Sequence, residues 1–162
     1  MINKVIAGIK YTAWGIAAVS LLWFLLALIR LKSPIGVHFD GNGQFDVIDS
    51  KFYGFYPHAI NALCIGITAL ADFLTDKIRT GLKVSEYGES LLKTTVHLCW
   101  GWGRLLIVLF FAYWNALVIL QIPLSVCVPN AILTLLFIGL LATITAIIII
   151  RYAIGKKEIP YA

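Results

Sequence analysis

Apolar residues in this chain come in long unbroken runs. Tyr11 to Ile29 reads YTAWGIAAVSLLWFLLALI without a charge, and Leu105 to Ile150 holds no Lys, Arg, Asp or Glu. A helix rises about 1.5 Å per residue, so roughly 20 residues cross a hydrocarbon core about 30 Å thick. The first run is long enough for one crossing. The second is long enough for two, with a turn through QIPLSVCVPN, where Pro123 and Pro129 suit a short connector. A further apolar segment, Phe52 to Phe73, is closed by Asp76, Lys77 and Arg79. The pattern predicts an all-α membrane protein with four transmembrane helices, over about 11–29, 52–73, 99–120 and 131–150. The first run exceeds the 7–15 residues of a signal-peptide core and ends in Arg30-Leu31-Lys32, which predicts a retained first helix.

Two connecting segments are polar. Residues 33–51 are rich in turn formers, and residues 75–93 carry charges of both signs, with room for a short surface helix around Glu86 to Lys93. Lys and Arg in short loops set orientation. Lys4, Lys10, Lys77, Arg79, Lys83, Lys93, Arg151, Lys156 and Lys157 fall on one side, against Arg30, Lys32 and Lys51 on the other. Nine against three predicts both termini inside, 75–93 as a cytoplasmic loop and 33–51 as an ordered extracytoplasmic loop between the first two helices. Arg104 is left out of this count because its depth is ambiguous.

Composition agrees with this reading. Of 162 residues, 60% are hydrophobic and 13% charged, with mean hydropathy +0.91, well above the apolar share of a soluble domain. The net charge of +5 sits at the ends of apolar segments. It therefore points to lipid headgroups and orientation signals rather than to nucleic acid. Cys64, Cys99 and Cys127 show neither CxxC nor Cys/His metal spacing and read as packing residues.

The outer loop carries the most specific pattern. In SPIGVHFDGNGQFDVIDSKFYGFYP, residues Ile35, Val37 and Phe39 alternate onto one face, with His38 and Asp40 on the other. Gly41-Asn42-Gly43 suits a tight reversal, after which Phe45 and Val47 return along the apolar face. The expected product is a hairpin-like loop with Gly43 in the turn and Phe39 and Phe45 buried against the helix ends. Asp40, Asn42 and Gln44 echo the start of an EF-hand. However, Phe45 stands where that loop needs Gly and Lys51 where it needs Glu, so no calcium site is expected. His38 has no second His or Cys nearby to make a transition-metal site.

Pro34, Val37, His38, Phe39, Gly43, Asp46, Lys51 and Pro57 together resemble the bacterial domain-of-unknown-function family 1648. That family's pattern runs Pro-x-x-Ile/Val, His-Phe, Gly, Asp, Lys and then Pro in the second helix. Gly36-Val37 replaces a usual Ile-Pro, and Phe45 stands where Pro often precedes the Asp. The resemblance covers about residues 10–75. It implies an SdpI-like amino-terminal region, hence a bacterial cytoplasmic-membrane protein of immunity or sensing type. It also implies His38, Phe39, Asp40, Asp46 and Lys51 as candidates for contact with a peptide or partner.

Within the spans, His58, Asn61, Thr68 and Asp72 fall along one face of the second helix, and Arg104 and Asn115 share a face of the third. Thr134 and Thr145 repeat that spacing in the fourth. Polar groups in lipid are expensive, so this stripe is expected to face other helices or water. It reads first as interhelical glue, worth about 0.6–2 kcal/mol per bond, and otherwise as a conduction path or partner interface. Asp72 and Arg104 either pair near the cytoplasmic face or snorkel separately to the interface. Trp100-Gly101-Trp102-Gly103 reads as an interfacial anchor. GxSxG, HExxH and P-loop motifs are absent, and His97 alone does not provide for a heme or quinone, so neither an enzyme nor a cofactor is expected. The functional classes left are a non-enzymatic binding protein, an accessory subunit of a larger membrane complex, and a small transporter or channel.

Overall fold

The computed structural model describes residues 2–77, 86–124 and 127–158. Helix α1 spans Ile2–Leu28, followed by a hairpin of β1, Ile35–Phe39, and β2, Phe45–Asp49. A short 3-10 turn, Lys51–Phe55, leads into α2, Tyr56–Lys77. Helices α3, Glu86–Leu120, and α4, Cys127–Glu158, follow. Among the described residues, four helices are long and apolar enough to cross a membrane.

The helices outrun the charge-free stretches on which the sequence reading rests. Helix α1 begins at Ile2 rather than near residue 11. Helix α3 takes in residues 86–93, given above to the connecting loop. Acidic residues in its first turn, Glu86 and Glu89, suit a helix N-terminus, and Glu89 pairs with Lys93 one turn on at 3.1 Å. Mixed charge here marks a helix that extends past the apolar segment. Residues 78–85 of that predicted loop, and the tail from residue 159, lie outside the described residues.

Helix α3 is the hub, packing against α1, α2 and α4. Lys10 meets Asp72, Ser20 meets Asn115, and Asp72 meets Arg104. Helices α1 and α3 therefore run one way and α2 the other. Between the polar contacts lies an apolar layer of Ala13, Ile65 and Val108, all buried. Helix α4 docks on α3 where Gly139 leaves room for the Trp102 indole; a Cβ there meets the ring at 2.7 Å. Trp102, expected to be an interfacial anchor, lies midway along α3 and is part of a helix joint. Thr134 and Thr145 face away from the bundle.

The hairpin caps one end of this bundle. Ile35 and Phe39 are buried with Leu117 and Val118 of α3. Phe39 stacks on Phe45 at 4.4 Å and meets Trp114 edge-on at 5.3 Å. The turn is closed by Asp40, whose Oδ1 accepts from the backbone N–H groups of Asn42 and Gln44, each at 2.8 Å. This Asx-type turn accounts for the Asp-x-Asn-x-Gln spacing that echoed a calcium loop. The expected alternation is broken in one place. The pairing Gly36↔Ile48, His38↔Val47 and Phe39↔Phe45 skips Val37 and Asp46, and such irregularity re-aims side chains. Val47, expected on the apolar face, is 43% exposed.

Three contacts fasten the hairpin. Lys51 Nζ donates to the carbonyls of Leu28 and Leu31 at 2.7 and 3.2 Å, satisfying groups left open at the end of α1. Helix α3 ends with Gln121 in the left-handed region (φ 53) and Ile122 N–H bonded to Leu117 O, a Schellman-type closure. The Gln121 carboxamide then pairs with the Gly36 backbone, Oε1 accepting at 2.8 Å and Nε2 donating at 3.2 Å. Lastly, Leu124 N–H donates to Gly43 O at 2.8 Å.

Gly43 has φ +80, and a Cβ there collides with the Leu124 carbonyl, while Gly41 has open space around it. Gly43→Ala is therefore expected to lower stability by about 1–3 kcal/mol. Gly41→Ala is expected to leave it unchanged. Thermal unfolding of the two variants in one mild detergent checks this.

Candidate functional site

Two polar layers cross the bundle, about ten residues of helix apart, and the hairpin forms a third feature beyond them. The layer farther from the hairpin is built on Asp72, which is buried at 8% exposure. Its Oδ2 accepts from Lys10 Nζ at 2.8 Å and Arg104 Nη2 at 2.9 Å, and its Oδ1 lies 2.8 Å from His97 Nδ1. Arg104 is 3% exposed, and its Nε donates to Thr68 Oγ1 at 2.9 Å. Thr68 in turn donates to the carbonyls of Cys64 and Ile65. The other nitrogen of His97 lies 2.8 Å from Asp76 Oδ1. One carboxylate thus receives cations from α1 and α3 while itself belonging to α2. A buried charge needs such partners, since an unpaired one costs several kcal/mol.

Of the two alternatives for Asp72 and Arg104, the geometry is that of the pair. Lys10 and His97 join it. In the sequence, Lys10 reads only as an orientation signal and His97 as a lone histidine. Their spacing carried a usable signal: His97 lies seven residues before Arg104, two turns along the same face. Nothing local marks Lys10, which reaches Asp72 because α1 and α3 approach closely at Gly101.

The second layer joins Ser20, His58 and Asn115. Asn115 is fully buried; its Nδ2 donates to the Ser20 carbonyl and hydroxyl, both at 3.0 Å, and its Oδ1 lies 3.0 Å from His58 Nε2. Asn61 is buried between the layers, and its Oδ1 has no partner among the described residues. The predicted stripe of His58, Asn61, Thr68, Asp72, Arg104 and Asn115 therefore faces the interior. Apart from Asn61, each member is engaged by a neighbouring helix.

The hairpin divides its candidate residues by role. Phe39 is core, Lys51 holds the end of α1, and Asp40 closes the turn. His38 and Asp46 are different: they pair with each other, Nδ1 to Oδ1 at 2.7 Å, with side chains 54% and 43% exposed. A carboxylate only accepts, so the Asp46 contact places a proton on Nδ1 and leaves the neutral ring's Nε2 as an acceptor. This pair presents hydrogen-bonding chemistry outward, beside the exposed side chains of Asn42, Gln44 and Asp49. Among the described residues no group of three His, Cys, Asp or Glu side chains is placed to hold a metal ion.

If Asp72 joins the helices, removing its partners is costly and non-additive. Arg104→Gln alone is expected to destabilise by about 3–5 kcal/mol. In a double-mutant cycle with Asp72→Asn, a coupling above about 1 kcal/mol is expected. Additive losses would show that the two side chains do not meet in the folded protein.

Compared with protein-family models, with curated proteins and with solved structures, the chain matches none.

Proposed function

We propose that this chain is a non-enzymatic integral protein of a bacterial cytoplasmic membrane. Both termini lie inside, and the hairpin is an extracytoplasmic recognition element for a peptide or partner protein. The observation that carries this reading is the exposed His38–Asp46 pair on a hairpin that is bonded to the ends of α1 and α3. A loop needed only to connect two helices has no use for a Gln clamp, a Lys cap and an Asx turn. Holding a short exposed surface in fixed geometry lowers the ordering cost of recognition. The nine-to-three distribution of Lys and Arg supports the orientation.

The same features support kinship with the 1648-type, SdpI-like group. Among the residues that carry the resemblance, Phe39, Gly43, Lys51 and Pro57 build the hairpin and its seat, while His38 and Asp46 form the exposed pair. An immunity or sensing role follows from that kinship.

A second reading, an accessory subunit of a larger membrane complex, is favoured by α4. Its window of greatest hydropathy has no buried residue, and Leu135, Phe137, Ile138 and Leu141 all stand exposed. A photo-crosslinker placed at Asp46 or at Ile138 in living cells separates the two. A discrete adduct from Asp46 and none from Ile138 supports the recognition hairpin; the reverse supports the subunit.

Orientation has its own check. In a variant lacking Cys64, Cys99 and Cys127, Asn42→Cys is expected to react with an impermeant maleimide on intact cells. Glu86→Cys is expected to react only after permeabilisation. The opposite pattern would invert the topology.

A further inference from the structure

At the end of the bundle away from the hairpin, an open pocket of about 620 Å³ lies between the start of α1, the end of α2 and the start of α3. Lys10, Asp76, Glu86, Glu89, Lys93 and His97 line it, and the rest of its lining is uncharged. His97 sets each ring nitrogen against a different carboxylate. Nδ1 lies 2.8 Å from Asp72 Oδ1, and Nε2 lies 2.8 Å from Asp76 Oδ1. A carboxylate only accepts, and a neutral imidazole has one N–H to give. Two such contacts need two N–H groups, so the geometry is that of an imidazolium.

The balance of charge agrees. Four carboxylates, Asp72, Asp76, Glu86 and Glu89, gather at the pocket and in the layer behind it. Three permanent cations meet them: Lys10 from α1, and Lys93 and Arg104 from α3. Lys77 of α2 is engaged over the Phe73 ring, 5.5 Å from its centroid. The second proton on His97 supplies the fourth positive charge.

The two partners of His97 differ in exposure. The Asp72 side chain is 11% exposed and is held by Lys10 and Arg104 as well. The Asp76 side chain is 66% exposed and belongs to the last turn of α2. Among the described residues, α3 also reaches that turn through Lys93 Nζ, which donates to the Asp76 carbonyl at 3.4 Å, near the limit of a hydrogen bond. A ring that loses one proton keeps Nδ1–H on the shielded Asp72 oxygen. Its Nε2 then turns a lone pair toward the Asp76 carboxylate, and two acceptors at that distance repel.

We propose that His97 is a proton-operated clasp. A proton taken up through the pocket fastens the last turn of α2 to α3. Its loss frees that turn, while Lys10 and Arg104 keep Asp72 in place. The clasp depends neither on recognition by the hairpin nor on which way the chain crosses the membrane.

The test is nitrogen NMR of the full chain in nanodiscs, with isotope-labelled histidine and the His97 signals assigned by their loss in His97→Gln. At neutral pH both ring nitrogens of His97 are expected to carry hydrogen, and one N–H signal is expected to vanish as the pH is raised. In Asp76→Asn, at an exposed position, the ring is expected to hold a single N–H already at neutral pH. A nitroxide at Leu74→Cys, in a variant lacking Cys64, Cys99 and Cys127, reads the last turn of α2. Its mobility is expected to rise as the second N–H is lost, and to be indifferent to pH once Asp76→Asn or His97→Gln is added. If His97→Gln fails to fold, the signals that change in Asp76→Asn assign the ring and that variant decides alone. A single N–H at neutral pH in the wild type, two in Asp76→Asn, or a label whose mobility does not follow the proton would each overturn the clasp.

Discussion

A single buried carboxylate holds the bundle in register. Asp72 on α2 takes Lys10 from α1 and both Arg104 and His97 from α3, so three helices meet at one pair of oxygens. In a low-dielectric setting the attraction is strong and loss of any partner is costly. That asymmetry makes the cluster a register device. Sliding α1 or α3 by one turn would leave a charge facing hydrocarbon. The neutral Ser20–His58–Asn115 layer repeats the constraint with weaker bonds. Two layers at different depths fix tilt and rotation, which apolar packing alone leaves loosely specified.

The hairpin depends on this register. Its seat is made by the end of α1, the start of α2 and the last turn of α3, three points that the polar layers position. Gln121 and Leu124 at the end of α3 bond to Gly36 and Gly43, while Lys51 bonds to the end of α1. The His38–Asp46 pair, and an aromatic-lined pocket beneath it, are held by the hairpin-side ends of the first three helices. A surface held this way suits recognition.

Much of this was legible in the chain because long charge-free runs and turn chemistry are local signals. The four helices, the glycine turn of the hairpin and the inward stripe on α2 follow from spacing alone. The Asp72–Arg104 contact was legible as one of two alternatives, since equal depth on adjacent helices follows from connectivity. Lys10 and His97 were not, because charges at a span edge read equally well as orientation signals. The first two turns of α3 were legible as a short surface helix, but mixed charge hid their continuity with the third span. Gln121 was illegible for a different reason. Its role depends on a left-handed helix end meeting a strand 85 residues away in sequence. Val47 was assigned to the wrong face because irregular pairing in the hairpin breaks a strict two-residue alternation.

The register of the bundle requires Asp72 to be ionised and shielded among its three partners. Infrared difference spectroscopy of the wild type against Asp72→Asn, at neutral pH in H2O and in D2O, reads that state directly. The substitution is predicted to remove an ionised-carboxylate stretch that is nearly unaffected by the change of solvent. Loss of a protonated carboxyl stretch instead, or of a carboxylate band that shifts as a water-exposed group does, would contradict it.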